Sequence, residues 1–289
     1  ADGETLQALI EREEVTVASG VPTIWLALLQ YLDQSGKSID SVTRVSVGGA
    51  ACPRSIIEDF DKKHGVTVHQ GWGMTETSPL GTVFKVKPTM GELSQEDRYE
   101  LQAKQGCGVF GIEMRITDEN DEPLPWDGVA FGTLKVRGPW VASNYFRLED
   151  AGSPLDKNGW FDTGDVATID PNGVMQITDR TKDVIKSGGE WISSIDLENA
   201  AVDHPAVAEA AVIGRYHPKW TERPLLIVVP REGQEIPKDD MLAWFDGRVA
   251  TWWKPNDVAF VDELPHTATG KINKLALRDQ FADYQFPDA

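Results

Sequence analysis

The sequence predicts an α/β protein with a parallel α/β layer, a β-rich subdomain and a small C-terminal α+β domain. Three observations predict it. Residues 42–73 run as strand, glycine turn, helix, strand and glycine turn, the order typical of parallel α/β layers. Short β-runs begin near residue 106, and a mixed helix and strand pattern begins near residue 180. We therefore divide the chain into residues 1–105, 106–179 and 180–289.

The first part is predicted to hold two helices and two short strands. Residues 22–32 form a helix with Pro22 in its first turn and an apolar face of Trp25, Leu28, Leu29 and Leu32. Strands at 42–47 and 66–68 flank a helix at 53–64. Both strands run into glycines, at the sheet end where parallel layers bind ligands. The alternative is that these glycines only make tight turns.

The β-rich part contains a predicted hairpin. Its strands belong to a set at 111–117, 132–136, 166–169 and 174–177. Pro171 and Gly173 suit the second and fourth positions of a β-turn that starts at Asp170. Pairing about this turn places Asp165 beside Arg180 at the open end, where an aspartate can accept from two ribose hydroxyls. The alternative is a plain surface ion pair, contributing ~0–1 kcal/mol.

The last part is predicted to begin with a helix near Ser193, with Asp196 as its capping-box partner and an end before Pro205. Strands at 207–213 and 225–229 follow, and then a helix at 237–249. We predict one more short helix beyond residue 271. Its apolar stripe consists of Leu275, Leu277 and Phe281, and its water-facing residues are Arg278 and Asp279.

Composition excludes several classes of function. The 289 residues suffice for about two domains, and no apolar run approaches the length of a membrane span. A net charge of −18 disfavours a nucleic-acid partner, so an anionic substrate needs a locally basic site. Two cysteines imply no disulfide framework and predict a cytoplasmic location. The five histidines show no metal-ligand spacing.

Two stretches suggest phosphate chemistry. At residues 71–77, Gly-Trp-Gly-Met-Thr-Glu-Thr offers a ring for a flat base and a hydroxyl and carboxylate for phosphate and Mg²⁺. At residues 264–274, Lys271 stands on a loop rich in Pro, Thr and Gly. It is either a solvated charge or an ammonium aimed at a phosphate. Neither stretch is a dinucleotide fingerprint or a nucleoside-triphosphatase P-loop.

Five stretches, in this order, resemble the adenylate-forming superfamily of acyl-CoA synthetases, peptide-synthetase adenylation domains and firefly luciferase. They lie at residues 71–77, 131–138, 160–165, 179–190 and 264–274. The family's upstream phosphate loop, rich in Ser, Thr and Gly, has no counterpart before Gly71. The resemblance therefore implies the C-terminal half of such an enzyme. This half would begin inside the large adenylating core and end with the small mobile domain, and the N-terminal half would be its partner.

The resemblance also implies a role for each matched residue. Trp72, with Gly73, would stack on adenine, Thr75 would touch the phosphates and Glu76 would bind Mg²⁺. Asp165 would hold the ribose hydroxyls and Arg180 would lie beside it. Backbone at Gly48, Gly49 and Ala50 would line the nucleotide and acyl pocket. The last set comprises the hinge Lys182, the pantetheine tunnel at Ser187, Gly188 and Gly189, and Lys271, which would bridge the carboxylate and the α-phosphate.

These roles imply a two-step ligase that uses ATP, Mg²⁺ and coenzyme A. A carboxylate and ATP would give an acyl-adenylate, from which the thiol displaces AMP; a homodimer is compatible with the family. Residues 111–116 and 217–224 resemble bacterial ligases for fatty acids and methylthio-alkanoates, and Trp72 favours short or medium chains. Two alternatives remain open. One is an adenylating enzyme that loads a carrier protein or oxidises the acyl group, and the other is a nucleotide-binding module without turnover.

Overall fold

The computed structural model describes residues 2–147, 152–267 and 272–287. The chain divides into two compact units, Ala1–Ile177 and Thr178–Ala289. Each unit has two hydrophobic clusters of its own. The α/β class, with a parallel layer, a β-rich part and an α+β part, is confirmed. The predicted boundaries after residues 105 and 179 stay predictions.

The first sheet of the first unit is a mixed one. Strands β1 to β3 are parallel, and β4 and β5 continue the sheet antiparallel. The strands are β1 Val17–Gly20, β2 Arg44–Val47, β3 Thr67–Gly73, β4 Leu80–Val83 and β5 Cys107–Gly108. The accompanying helices are α1 Gly3–Arg12, α2 Pro22–Ser35, α3 Arg54–His64 and α4 Gln95–Gln102. The predicted helices at 22–32 and 53–64 are therefore confirmed.

Local chemistry explains where these helices begin and end. Pro22 occupies the first turn of α2, and Gly36 ends that helix with φ +66°. Gly65 ends α3 in the same way, with φ +65°. Asp2 caps α1 and Ser94 caps α4, because their side chains accept hydrogen bonds from the backbone N–H groups of Thr5 and Asp97. Our sequence analysis missed α1 and α4.

The second sheet is an antiparallel meander in the order β6-β7-β8-β9. Its strands are β6 Glu113–Thr117, β7 Phe131–Arg137, β8 Phe161–Ile169 and β9 Met175–Arg180. The predicted turn between β8 and β9 is confirmed, since Gly173 N donates to Asp170 O at 2.8 Å. Strand β8 carries an irregularity: Thr133 pairs with Val166 but Lys135 pairs with Asp162. This bulge bends β8 at residues 163–165.

The second unit is built on a sheet in the order β11-β10-β13-β12, with β14 parallel to β13. Its strands are β10 Ile185–Ser187, β11 Glu190–Ile192, β12 Val207–His217, β13 Thr221–Pro230 and β14 Asp257–Phe260. Its helices are α5 Ser194–Val202, α6 Lys238–Ala243 and α7 Lys274–Gln280. Side chains on the two faces of β12 and β13 pack in different hydrophobic clusters. The cross-strand pair Val212 and Leu226 belongs to one cluster, and the neighbouring pair Ile213 and Leu225 belongs to the other. Both faces of the sheet are therefore covered, which explains its unbroken apolar runs.

The predicted cap of α5 is confirmed, because Ser193 Oγ accepts from Asp196 N at 3.1 Å. The predicted helix at 237–249 is wrong in length. It ends at Ala243, and Gly247, with φ +72°, lies in the stretch that was expected to be helical.

The predicted apolar stripe of the last helix is confirmed at Leu277 and Phe281, which pack in one cluster, but is wrong at Leu275. Leu277 is buried but Leu275 is 66% exposed, because residues two apart point to different faces of a helix. Arg278 does not face water, since it pairs with Asp183 at 2.5 Å. In the part of the chain that the structure describes, no helix is long and apolar enough to cross a bilayer.

Candidate functional site

The two glycine segments of the first sheet lie side by side. Strand β2 runs parallel to β3 with Val47 opposite Gln70, so residues 48–50 follow β2 next to Gly71. A Cβ on Gly48 would lie 3.7 Å from Gly71 O. The segment is supported by Gln70, whose buried Oε1 accepts from Cys52 N at 3.3 Å. Sequence reasoning missed this glutamine.

Gly71 and Gly73 belong to strand β3 and do not form the turn that was considered as an alternative. They are glycines because β4 approaches closely. A Cβ on Gly73 would lie 1.8 Å from Pro79 O, and one on Gly71 would lie 2.9 Å from Thr82 O. The strand therefore carries Trp72 between two positions that have no space for a side chain.

Trp72 is joined to Asp165 by a hydrogen bond. Its Nε1–H donates to Asp165 Oδ2 at 2.8 Å, and the two residues are 93 positions apart in the chain. Trp72 exposes 8% of its surface and Asp165 2%. The structure thus connects the first and third of the five motif stretches through one buried contact.

The bulge in β8 directs Asp165 to this contact. Gly164 has φ +68°, a conformation that L side chains rarely adopt. Thr163 Oγ1 donates to Leu134 O at 2.8 Å and accepts from Asp165 N at 3.1 Å. The Thr-Gly-Asp order of the motif is therefore what turns the aspartate out of the regular strand pattern.

Thr75 and Glu76 lie in the 3-10 turn Thr75–Thr77, which follows β3. The Glu76 carboxylate is held by Tyr145, whose hydroxyl donates to Oε1 at 2.9 Å. This hydrogen bond raises the pKa of Tyr145. Sequence reasoning missed Tyr145, which is 69 residues away and has no local signal.

A magnesium ion fits Glu76 only as a shared ligand. Within residues 2–147, 152–267 and 272–287, no three His, Cys, Asp or Glu side chains are grouped to hold a metal. A single carboxylate together with substrate phosphates is a common way for proteins to hold Mg²⁺. The turn at Thr75–Thr77 is therefore compatible with a metal that arrives with a triphosphate.

In the second unit, Arg180 lies exposed at the end of β9. Its neighbour Asp179 is buried, accepts from Ser194 N at 2.6 Å, and has a pKa raised by burial. The predicted pairing of Asp165 with Arg180 stays a prediction. Lys182 is exposed in the following turn, and its carbonyl oxygen accepts from Arg278 at 2.9 Å.

Gly188 and Gly189 form the two-residue turn of the β10–β11 hairpin. Ser187 pairs with Glu190, and the two glycines have φ of +60° and +88°, as such turns require. A Cβ on Gly188 would also lie 3.0 Å from the Trp220 ring. Ser187 is buried, and its Oγ accepts from Arg223 at 3.1 Å. The backbone conformation of this turn therefore requires glycine at both positions, and the sequence analysis did not predict this requirement.

Lys271 lies outside the described residues. The helix that follows it is anchored by Lys274, whose Nζ contacts Glu198 Oε1 at 2.7 Å and Ser194 Oγ at 2.6 Å. Burial raises the pKa of Glu198, and Lys274 opposes that rise. Sequence reasoning missed this buried cluster because its members come from distant elements.

The comparison with protein families gives a direct match. The model described as "AMP-binding enzyme" matches residues 1–146, and "AMP-binding enzyme C-terminal domain" matches residues 196–271. The chain belongs to the AMP-binding enzyme family. The resemblance inferred from the five stretches is thereby confirmed.

Curated relatives match nearly the whole of this chain. The 3-methylmercaptopropionyl-CoA ligase of Ruegeria pomeroyi is 50% identical over 97% of this chain and 52% of its own length. The medium-chain fatty acid CoA ligase of Ectopseudomonas oleovorans is 46% identical over 98% of this chain and 51% of its own length. The chain spans about half the length of the curated relatives it matches.

Solved structures agree with this assignment. One is o-succinylbenzoate CoA synthetase (MenE) of Bacillus subtilis in complex with its acyl-adenylate intermediate. It matches with a TM-score of 0.81 and 29% identity, over 99% of this chain and 55% of its own. ATP-bound MatB of Rhodopseudomonas palustris matches with a TM-score of 0.79 and 30% identity, over 98% and 54%.

Proposed function

We propose that this chain is the C-terminal part of an AMP-forming acyl-CoA ligase. The observation that carries the proposal is the buried bond between Trp72 and Asp165. The family resemblance implies that Trp72 contacts the adenine and Asp165 the ribose of the same nucleotide. A direct contact between the two side chains is what a single adenosine site would require. The names of the relatives, ligases that form CoA thioesters, support the same activity.

In the proposed first step, the residues matched by the resemblance bind ATP. Gly48, Gly49 and Ala50 line the pocket with backbone, Trp72 and Gly73 receive adenine, and Asp165, together with Arg180, receives the ribose. Thr75 contacts the phosphates. Glu76, already oriented by Tyr145, is the protein ligand for Mg²⁺, whose charge would offset that of the triphosphate.

Lys271 completes the first step in this proposal. Negative charge grows on the phosphoryl oxygens as the carboxylate attacks the α-phosphorus and pyrophosphate leaves. An ammonium at this position stabilises the transition state more than the ground state, and this difference is what accelerates the step.

In the proposed second step, the coenzyme A thiol attacks the acyl carbonyl and AMP leaves. Lys182 is the hinge about which the small domain changes orientation between the steps. Ser187, Gly188 and Gly189 line the path of the pantetheine. The tight turn at the two glycines keeps that path free of side chains.

The acid is proposed to be a fatty or methylthio-alkanoic acid, with the shorter chains favoured. Relatives named for 3-methylmercaptopropionate and for medium-chain and long-chain fatty acids support this class. We also propose that an N-terminal half of the same enzyme supplies the rest of the adenylating core, and that the enzyme works in the cytoplasm. A homodimer stays a prediction, which light scattering of the complete enzyme would test.

The proposal is tested by mass spectrometry of the products. The complete ligase is incubated with ATP, Mg²⁺, coenzyme A and a series of straight-chain and methylthio acids. We expect an acyl-CoA thioester, AMP and pyrophosphate in equal amounts. Acyl-adenylate that accumulates without any thioester would favour an enzyme that loads a carrier protein or oxidises the acyl group, and no acid-dependent product would favour a binding module.

A further inference from the structure

Trp72 makes a contact that a stacking role does not require. Its Nε1–H donates to Asp165 Oδ2 at 2.8 Å, and both residues are more than nine-tenths buried. Hydrogen bonds to an ionised carboxylate are stronger and shorter than those between neutral groups. A buried donor at this distance therefore restricts the orientation of the carboxylate.

The position of the indole ring is itself fixed by the sheet. Trp72 pairs with Thr82 on β4, and a Cβ on the neighbouring Gly81 would lie 2.4 Å from the ring. The ring thus occupies the space that a side chain at position 81 would fill. Because backbone lies directly against it, the ring cannot move towards β4.

Asp165 approaches from the other sheet of the same unit. Its backbone is turned by the bulge at residues 163–165 and is held by Thr163. The main chain thus brings Asp165 to Trp72, and the indole N–H then holds one carboxylate oxygen. Two sheets contribute to a single oriented carboxylate.

We propose that Trp72 is a positioning residue for the ribose-binding carboxylate of Asp165. This inference rests on the proposed function, because it assigns Asp165 to the ribose hydroxyls. A phenylalanine at position 72 keeps an aromatic ring in this place but lacks the N–H that orients Asp165. Loss of the N–H should therefore weaken only the recognition of the ribose hydroxyls.

The test uses the complete ligase and two nucleotides, AMP and 2′,3′-dideoxy-AMP, with affinities measured by isothermal titration calorimetry. For Trp72→Phe we expect AMP to bind about tenfold more weakly, as for the loss of one hydrogen bond to a charged group. The affinity for the dideoxy nucleotide should change less than about twofold. Equal losses for both nucleotides, or no loss for AMP, would overturn the proposal.

The matched control is Trp25→Phe in the same unit. Trp25 is buried, and its Nε1 has no hydrogen-bond partner among the residues described, so this variant removes an indole without a bonded donor. Neither nucleotide should lose affinity. If Trp72→Phe fails to fold, benzothienylalanine at position 72 keeps the shape of the ring and removes only the N–H.

Two further results separate the possible failures. In an Asp165→Asn background, Trp72→Phe should cause no additional loss of AMP affinity, and a full additional loss would contradict the positioning role. Failure of the unmodified ligase to bind AMP would instead contradict the proposed function. If the unmodified ligase binds AMP but Trp72→Phe changes the affinities for AMP and the dideoxy nucleotide equally, only this inference is refuted and the proposed function stands.

Discussion

The two units hold their predicted functional residues in different ways. In the first unit, Asp165 and Glu76 are each fixed by a side-chain donor from a distant element, Trp72 and Tyr145. In the second unit, Lys182 is exposed in a turn, and Gly188 and Gly189 form a hairpin turn. In the first unit, therefore, distant donors orient the predicted site side chains, whereas in the second unit the predicted site residues lie in turns.

The units also differ in where their perturbed carboxyl groups lie. In the first unit, the half-buried Glu58 and the exposed Asp127 have pKa values lowered by hydrogen bonds. In the second, burial raises the pKa of Asp179, Asp196 and Glu198. The buried Asp257 of the second unit is an exception, because burial acts to raise its pKa but hydrogen bonds from Lys238 and Tyr284 lower it.

The largest expected effect comes from Lys271. If this lysine acts only in the first step, Lys271→Ala should slow adenylation by about 10²- to 10³-fold, as the loss of one preorganised donor does. The reaction of a supplied acyl-adenylate with coenzyme A should stay nearly intact. Rapid-quench measurement of each half-reaction tests this, with the exposed Lys157→Ala as a control that leaves both rates unchanged.

Lys182→Pro is expected to affect the other half-reaction. Proline fixes φ near −65° and removes a backbone N–H, so one orientation of the small domain should be trapped. If the adenylating orientation is retained, acyl-adenylate still forms but thioester formation falls sharply. The same two assays apply. Equal losses in both half-reactions for both lysine variants would indicate general destabilisation and would refute rotation about Lys182.

A smaller effect is expected for the ribose site. Asp165→Ala removes the carboxylate that Trp72 holds, and ATP binding should weaken by ~1–3 kcal/mol, the usual loss for charge-assisted hydrogen bonds. Equilibrium dialysis with labelled ATP measures this. An unchanged affinity would return Asp165 to a structural role inside the first unit.

The smallest effect is the pH dependence of stability, which should have opposite signs for Glu198 in the second unit and Glu58 in the first. Glu198 has a folded-state pKa above its unfolded value, so its contribution is greatest at low pH and is lost as pH rises through the raised pKa. Glu58 has a lowered pKa, so its small, solvent-screened contribution is lost as pH falls through that pKa.

This comparison is checked with Glu198→Gln and the matched Glu58→Gln. Thermal unfolding is followed between about pH 4 and pH 7, the range around and above the ordinary carboxyl pKa. In the unmodified protein, Glu198 should make stability decline as pH rises, and Glu198→Gln should abolish this decline. Glu58 should make stability increase more weakly as pH rises, and Glu58→Gln should abolish this increase. The same slope for both variants would show that burial does not distinguish the units.

Local signals in the sequence were sufficient for much of the fold. Pro22 and Gly36 bound α2, Ser193 caps α5, and the turn at Asp170–Gly173 pairs β8 with β9, because each depends on residues that are close in sequence. The last helix shows the limit of such signals. With only seven residues, its apolar pattern wrongly placed the exposed Leu275 on the same face as the buried Leu277.

The contacts that complete the candidate site could not be predicted in this way. The donors to Asp165 and Glu76 come from 93 and 69 residues away, and the cluster around Lys274 joins α5 and α7. Hydrogen bonds of this kind follow from tertiary packing and leave no periodic pattern. The sequence therefore predicted residues for the nucleotide site, but it gave no signal for the side chains that orient Asp165 and Glu76.

The central claim is that this chain supplies one part of an adenylating site. Carboxylate-dependent exchange of labelled pyrophosphate into ATP tests it most directly, measured for the 289-residue chain alone and for the complete ligase. We predict robust exchange by the complete ligase, dependent on the acid and on Mg²⁺, and little by the chain alone. Robust exchange by the chain alone, or none by the complete ligase with any acid, would contradict the claim.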